Sequence, residues 1–311
     1  MPPHDAHSPA PPPAPVPTGV TIPAADGYPL HARLWARPGD TSPRRVALVN
    51  AGAGIVCAYY ERFAAWLAAS GTPTLVYDYR GIGGSRPATL RGFGATVEDW
   101  GRLDCTGALA WLEARYPVAE RLVVGHSVGG FVTGLSTVGA QIDRLLLVGA
   151  HSGYCGDYAA RARPWMYVLW HVLMPALTRV VGYFPGRRLH LLEDLPRGAA
   201  LQWAGRRHPD FRDDDDLRLP DGRRDEARGD ELHGRFRAVR ADTLALRFTD
   251  DPFATEAATA NLQRLYVNAS WRTRQLAPAD AGGGPIGHFG FFRSRHRDTL
   301  WPVVAAWLDG H

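Results

Sequence analysis

Short apolar runs alternate with longer amphipathic segments between residues 46 and 150. The runs are too short for helices and predict buried strands, whereas the segments between them carry apolar residues at helical spacing. Apolar strands that alternate with helices predict an α/β fold, with a mostly parallel central sheet and helices on both of its faces. The runs predicted as strands are "VALVN", "TPTLVYDYRG", "RLVVGH" and "IDRLLLVGA".

The alternation stops after residue 150 and returns near residue 236. The intervening residues 151–235 contain a strongly apolar helical stretch, a second candidate helix and a charged run. We expect this segment to be a helical cap inserted into the core. The core is therefore predicted in two parts, residues 19–150 and residues 236–311, and the second part begins with the strand "DTLALRFTD".

The first 18 residues are rich in proline and lack the basic start and the apolar stretch of a signal peptide. We expect residues 1–18 to be a disordered tail, followed by a β-hairpin that turns at Asp26 and Gly27. The longest apolar stretch, around residues 165–177, contains a histidine and a proline and is short for a membrane span. We expect no stable membrane insertion. The alternative is that this helix lies on a membrane surface, with nearby arginines against anionic lipid.

Charge and cysteine content exclude several classes of protein. The chain has 35 lysine plus arginine residues, and every one of them is arginine. Without lysine the chain has no Walker A loop, pyridoxal Schiff base or serine/lysine dyad. Cations and acids are interleaved, which indicates a solvated surface and no nucleic-acid partner. Three widely spaced cysteines predict neither disulfides nor a zinc site, and a reducing cytoplasm is the expected location.

The stretch "RLVVGHSVGGF" places a serine among glycines where a predicted strand meets a predicted helix. Gly125, Ser127 and Gly129, with His126 between them, form the GxSxG pattern of a nucleophile elbow, a tight turn that holds the serine at the carboxyl end of the strand. Glycines are required because the flanking backbones approach closely, and the helix N-terminus below the serine favours a developing anion. The alternative interpretation of the motif alone is an ordinary strand-to-helix turn.

A serine hydroxyl becomes a good nucleophile when a histidine accepts its proton and an acid orients that histidine. In an architecture with a nucleophile elbow on a parallel sheet, the expected chain order is serine, acid, histidine, each after a later strand. Asp250 and Asp251 follow the strand "DTLALRFTD", and His288 lies in the loop before the last helix. We prefer Asp251 because the turn into the next helix follows it, but either aspartate could reach, and the other could cap that helix. His296 and His311 also follow the acids, at positions where solvent exposure is expected.

Acyl chemistry also requires backbone N–H donors for an oxyanion. Val128, immediately after the nucleophile, is the first expected donor. Ala53 is the preferred second donor, with Gly52 beside it as the alternative. No metal and no organic cofactor is predicted, because "DYRGIGGS" indicates a structural turn and the acidic run at 213–216 indicates a solvated loop.

Four motifs together resemble the α/β-hydrolase superfamily, namely "GHSVGG", "DYRGIGGS", "TDDPFAT" and "GHFGFFR". The last is similar to a bacterial group known only as predicted α/β-hydrolases, and the likeness extends from about residue 46 to the C-terminus. The resemblance implies a parallel-rich sheet, a helical cap after the sixth core strand, and Ser127, Asp251 and His288 as a catalytic triad. Many members have His-Gly where this chain has "NAGAG", so the resemblance identifies neither the second oxyanion donor nor a substrate.

These patterns together predict a serine hydrolase that forms an acyl-enzyme on a small-molecule substrate. We expect carboxylic esters with small or medium hydrophobic groups, because apolar side chains of the cap would cover the serine. A thioesterase, amidase or peptidase would use the same three residues. A non-catalytic protein that binds a small apolar ligand is the alternative outside the enzymes, and the oligomeric state is not predicted. The cap side chains expected over the serine are Trp165, Tyr167, Trp170 and Leu173.

Overall fold

The structure, a computed structural model, describes residues 14–211, residue 214 and residues 217–310. Its strands are β1 (Val16–Pro23), β2 (Pro29–Ala36), β3 (Arg45–Asn50), β4 (Thr74–Tyr77), β5 (Glu120–His126), β6 (Arg144–Val148), β7 (Asp242–Phe248) and β8 (Ser270–Leu276). Its α-helices are α1 (Glu61–Ala69), α2 (Val97–Asp99), α3 (Thr106–Arg115), α4 (Val128–Gly134), α5 (Arg163–Val168), α6 (Met174–Val181), α7 (Arg197–Ala204), α8 (Glu226–Ala238), α9 (Glu256–Gln263) and α10 (Trp301–Leu308).

The strands form one sheet of eight in the order β1-β2-β4-β3-β5-β6-β7-β8. The pairs β1·β2 and β2·β4 are antiparallel, and every pair from β4 to β8 is parallel. The predicted mostly parallel α/β architecture is therefore confirmed. Because parallel strands end at the same edge, the residues that follow β5, β6, β7 and β8 meet there, where open α/β sheets form their sites.

The centre of the sheet is apolar because both of its faces are covered. Every residue of β3 and β4 is buried, and so are the last residues of β5 and β6. A fully buried parallel strand reads as a continuous apolar run, which is the pattern that predicted these strands. Most residues of β8, at one edge of the sheet, are exposed, and its sequence is accordingly polar.

The N-terminal prediction is correct in its hairpin and wrong in its boundary. β1 and β2 form the predicted hairpin, and Gly27 has a φ of 84° in its turn. β1 begins at Val16, inside the segment predicted as a tail, where Val16 pairs with Ala36. Pro17 is tolerated because β1 is an edge strand, whose outward N–H groups need no partner in the sheet. Residues 1–13 of the predicted tail lie outside the described residues.

The segment between β6 and β7 carries helices α5 to α8. α5 and α6 are joined through a π-helical turn, Leu169–Leu173, and the helix ends at Gly182 with a φ of 90°. None of the described helices is long and apolar enough to cross a membrane. α8 continues to Ala238, so the predicted boundary at residue 235 falls inside a helix. The reason is that its last turn packs on the core, with Phe236 against the ring of Phe131.

Candidate active site

Ser127 has an unusual backbone conformation between β5 and α4. Its φ of 54° and ψ of −122° lie outside the regions that non-glycine residues favour, at a cost on the order of 1–3 kcal/mol. Close packing maintains this turn, because a Cβ on Gly129 would lie 2.1 Å from Asn50 O and a Cβ on Gly125 would lie 2.8 Å from Gly130 Cα. The glycines of the predicted elbow are therefore required by contact between backbones.

Ser127 and two of its predicted partners are joined by hydrogen bonds. Ser127 Oγ and His288 Nε2 are 2.9 Å apart, and His288 Nδ1 and Asp251 Oδ2 are 2.8 Å apart. All three residues are buried. An ionised carboxylate only accepts hydrogen bonds, so the proton lies on His288 Nδ1 and leaves Nε2 able to accept the proton of the serine hydroxyl.

The environment of Asp251 favours its charged form. Burial by itself raises the pKa of Asp251, but the attraction of His288 and hydrogen bonds outweigh burial, and the pKa lies below its usual value. Two of these bonds come from the backbone N–H groups of Phe253 and Ala254, which donate to Oδ1 at 2.8 and 3.2 Å. A carboxylate held by fixed donors can orient an imidazole and stabilise its positive charge.

Asp250 has a different position from its neighbour. Its Oδ2 accepts the backbone N–H of Ile286 at 2.9 Å, two residues before His288. Asp250 therefore anchors the histidine loop, while Asp251, the preferred aspartate, contacts the imidazole. Neither caps the following helix, whose N-cap is Thr255. The expectation that His296 is exposed was wrong, since it is 1% exposed beneath its loop; His311 lies outside the described residues.

The two candidate donors in the loop after β3, Gly52 and Ala53, differ in the hydrogen bonding of their N–H groups. Gly52 N–H donates to the Tyr60 hydroxyl at 2.8 Å and is therefore occupied. Within the described part of the chain no acceptor is recorded for the N–H of Ala53 or of Val128. Ala53 and Ser127 line the same cavity, and Val128 is the first residue of α4. This arrangement favours Ala53 over Gly52 as the second donor.

Comparison with protein-family models assigns the chain to a known family. Residues 41–212, more than half of its length, match the family described as serine aminopeptidase, S33, of the Hydrolase_4 model. The chain belongs to this α/β-hydrolase family. A search of curated protein sequences found no significant match.

Solved esterase structures share the fold of this α/β-hydrolase. An esterase from Exiguobacterium antarcticum superposes with a TM-score of 0.57 at 16% identity, over 94% of this chain and 100% of that chain. An esterase of Pyrococcus furiosus gives 0.55 at 14% identity, over 94% and 91%. An esterase of M. tuberculosis gives 0.53 at 20% identity, over 96% and 93%. At such identities the likeness shows the fold alone.

A cavity of about 270 Å³ opens above Ser127. Its lining is mostly aromatic and aliphatic, and much of it comes from the insertion between β6 and β7. Among the described residues that line it there is no aspartate or glutamate. The lining residues are Gly52, Ala53, Ser127, His151, Tyr158, Trp165, Met166, Leu169, Trp170, Leu191, Leu192, Trp203, Phe253, His288 and Phe289.

Two of the four cap side chains predicted over the serine line this cavity. Trp165 and Trp170 do, whereas Tyr167 and Leu173 do not and are 51% and 37% exposed. Tyr167 is two residues from Trp165 and therefore points to another side of the helix. The π-helical turn Leu169–Leu173 shifts the register of the helix, which rotates Leu173 away from the cavity.

His126, the middle residue of the elbow, connects three parts of the site. Its Nδ1 accepts the Tyr60 hydroxyl at 2.7 Å, and its Nε2 donates to the backbone carbonyl of His288 at 3.0 Å. Burial, followed by the repulsion of His288, lowers the pKa of His126 to about 3, so the ring is neutral. Together with the bond from Gly52 N–H to Tyr60, His126 ties the loop after β3 to the loop of His288. The sequence predicted His126 only as part of the turn.

The sequence did not predict His151, which lies against the nucleophile. It follows β6, the neighbour of β5 in the sheet, and its Nε2 is 3.4 Å from Ser127 Oγ. The available signal was its place two residues after "LLLVG", since residues after adjacent parallel strands lie side by side.

The "DYRGIGGS" segment forms a turn that is held by Asp78. Its two carboxylate oxygens accept the backbone N–H groups of Cys57 and Gly84 at 2.6 and 2.8 Å. Asp78, Cys57 and His31 bring possible metal ligands within 4.8 Å of one another. Burial raises the pKa of the Cys57 thiol far above its usual value. The geometry agrees with a structural turn.

Proposed function

We propose that the chain is a serine hydrolase that cleaves uncharged carboxylic esters with a small or medium hydrophobic group. One observation carries this proposal, namely the continuous hydrogen-bonded series from Asp251 through His288 to Ser127 Oγ. The series ends at a residue that lines an apolar cavity. Nucleophile, base and orienting acid are thus within hydrogen-bond distance before substrate binds.

In the proposed reaction Ser127 Oγ attacks the ester carbonyl while His288 Nε2 accepts the serine proton. Asp251 stabilises the imidazolium that results, and the proton then passes to the departing alcohol. Water attacks the acyl-enzyme with His288 again as base, and the carboxylic acid leaves. The N–H groups of Val128 and Ala53 are the proposed donors to the oxyanion.

The cavity lining favours a neutral ester over the N-terminus of a peptide. The family description names an aminopeptidase, and an aminopeptidase has to bind the positively charged amine of its substrate. A buried ammonium requires a paired carboxylate, and no aspartate or glutamate lines the described cavity. Asp251 is already committed to His288 and two backbone donors.

We propose that residues 151–235 act as a cap that selects the hydrophobic part of the substrate. Side chains from three places in this segment, Trp165, Leu192 and Trp203, line the cavity. The segment also contacts the loop of the proposed oxyanion donor, because Glu193 N–H donates to Gly54 O at 2.9 Å. The same segment would therefore limit the length of the substrate and position the loop that carries the proposed oxyanion donor.

A fluorophosphonate probe tests the nucleophile directly. The folded protein is expected to be labelled on Ser127, and Ser127→Ala is expected to lose both label and ester turnover. Cys105→Ala, at a buried residue without a proposed role, is the matched control and should keep both. Absence of label on Ser127 in folded protein contradicts the proposal.

A substrate panel separates the activities that this site could support. We expect p-nitrophenyl esters of short and medium acyl chains to be cleaved faster than an acyl-CoA thioester or an aminoacyl amide. If the aminoacyl amide is cleaved faster than the esters, the proposed activity is wrong and the chain is an aminopeptidase. If a small apolar ligand binds both the wild type and Ser127→Ala and no substrate is turned over, the chain is a binding protein.

A further inference from the structure

Ser127 Oγ has a second imidazole neighbour besides His288. His151 is 3% exposed, and its Nε2 lies 3.4 Å from the serine oxygen. Its ring packs edge-on against Tyr158, with a centroid distance of 5.4 Å, and lies 5.7 Å from the ring of His288. Such a ring is fixed by its surroundings and does not need substrate to take this position.

The backbone after His151 determines which of its nitrogens carries the proton. Gly153 N–H donates to His151 Nδ1 at 3.0 Å, so Nδ1 is an acceptor and the proton of the neutral ring lies on Nε2. This turn requires glycine, because Gly153 has a φ of 89° and a Cβ there would lie 2.5 Å from the ring of Trp203. His151 therefore presents an N–H, and not a lone pair, to Ser127.

Charge on His151 is opposed by its surroundings. Burial, followed by the repulsion of His288, lowers the pKa of His151 to about 3, although Asp251 acts in the opposite direction. The titratable groups that face it are Tyr158 and His288, whose rings lie 5.4 and 5.7 Å away, together with Asp251 and His126. The ring is neutral across the pH range in which an esterase would work, so it neither accepts the serine proton nor adds a cation.

The hydrogen positions of the three side chains form one consistent set. Ser127 donates its only proton to His288 Nε2, so its oxygen can accept from His151 Nε2–H. A distance of 3.4 Å in the free protein is long, and catalytic hydrogen bonds often shorten only when charge develops. Charge develops on Oγ when the bond between Oγ and the acyl carbon breaks.

We propose that His151 is a catalytic residue of deacylation, whose fixed Nε2–H donates to Ser127 Oγ as that oxygen leaves the acyl-enzyme. This inference rests on the proposed function. Water adds to the acyl carbon and gives a proton to His288 Nε2. The C–Oγ bond then breaks, its electron pair moves to Oγ, and the imidazolium returns a proton to Oγ. His151 keeps its own proton and stabilises the negative charge that Oγ carries in between.

The same donor gives less help to acylation. Charge also develops on Oγ when the serine gives its proton to His288 and attacks, but the hydroxyl oxygen of the free enzyme already accepts a hydrogen bond from His151. The ester oxygen of the acyl-enzyme is a poor acceptor, so in deacylation almost the whole hydrogen bond is gained in the transition state. We therefore expect one substitution to slow deacylation more than acylation.

His151→Phe keeps a ring of similar size among its aromatic neighbours and removes the N–H, and His151→Leu is a second variant without a donor. His151→Gln restores an N–H near the position of Nε2. His31→Gln, on β2 and separated from β5 by β4 and β3, is the matched control. Release of p-nitrophenol from an activated ester is followed before and during the steady state, so that acylation and deacylation rates are obtained separately.

Without the donor, we expect deacylation to slow roughly 10- to 100-fold, the size of a hydrogen bond to a charged group. Acylation should change less than about 3-fold, so kcat and KM fall together and kcat/KM stays nearly constant. His151→Gln should recover most of the deacylation rate, and His31→Gln should match the wild type. A variant in which acylation slows as much as deacylation, or in which deacylation is unchanged, overturns the inference.

The labelling result separates this inference from the function on which it rests. Fluorophosphonate labelling and thermal unfolding establish that each variant is folded with an accessible Ser127. A wild type that neither labels nor turns over esters refutes the proposed function. A wild type that does both, beside a His151→Phe variant with normal deacylation, refutes only the role of His151.

Discussion

Gly129 packs directly against the backbone at the end of β3, and Gly129→Ala tests how the elbow and the loop after β3 depend on each other. The new Cβ would lie 2.1 Å from Asn50 O and 2.8 Å from Ala51 O. These are backbone atoms and cannot rotate away. Since an ordinary carbon–oxygen contact is about 3.3 Å or more, the two segments have to separate by roughly 1 Å. They carry the proposed oxyanion donors Val128 and Ala53.

This separation has two calculable effects. Overpacking of a well-packed core costs about 1–3 kcal/mol in the free energy of unfolding. A misplacement of about 1 Å in a catalytic geometry costs on the order of 100-fold in rate. We therefore expect Gly129→Ala to be folded and less stable, with kcat for a p-nitrophenyl ester reduced about 100-fold. The loss of activity exceeds what partial unfolding alone would produce, because most of the protein remains folded.

Gly234→Ala is the matched control, because Gly234 lies inside α8 and nothing lies within 4 Å of its added Cβ. That variant should be as active as the wild type and more stable by about 0.8–1 kcal/mol, the difference in helix propensity. Ester hydrolysis and urea unfolding are measured on the same preparations. If Gly129→Ala keeps kcat within about 3-fold of the wild type, the glycine is not required by contact with β3, and the steric reasoning is wrong.

Further outcomes follow from the same geometry. Asp251→Asn should lower kcat about 10⁴-fold, whereas Asp250→Asn should lower it less than about 10-fold because Asp250 only anchors the loop; equal losses in ester assays would contradict this division. Trp165, 56% exposed at the cavity, can become alanine with little change in melting temperature, and kcat/KM across an ester series should then favour longer chains. The lowered pKa of Asp251 contributes stability above the ordinary pKa of 3.8 that is lost as pH falls through the native value. Urea midpoints of wild type and Asp251→Asn should therefore differ at pH 7 and approach each other below about pH 4.

The pattern of apolar residues predicts the architecture, because a strand that is buried on both faces of the sheet has a continuous apolar sequence. β3, β5 and β6 appear as uninterrupted apolar runs, and the order of the candidate residues after the strands limits which side chains can meet. The sequence could not decide whether Asp250 or Asp251 contacts His288, and the structure was needed to distinguish them. It depends on which carboxylate the returning loop approaches, and the Ile286 N–H that occupies Asp250 comes from 36 residues further along the chain.

The cap is where sequence reasoning was least accurate, and the cause is local geometry. A regular helix from residue 163 to residue 181 has one predictable apolar face, but the π-helical turn at Leu169–Leu173 rotates the second half. Trp165 and Trp170 consequently line the cavity, while Leu173 is 37% exposed. Nothing in the composition of this apolar stretch marks the position of the turn.

The two imidazoles at Ser127 also explain why only one of them can be the base. A general base needs an unprotonated nitrogen toward the serine and a carboxylate to stabilise its charged form. His288 has both, through Nε2 and Asp251. His151 has neither, because Gly153 N–H occupies its Nδ1 and fixes the proton on Nε2. The backbone around each ring therefore assigns opposite roles to two identical side chains, and a motif that records only residue types does not contain that information.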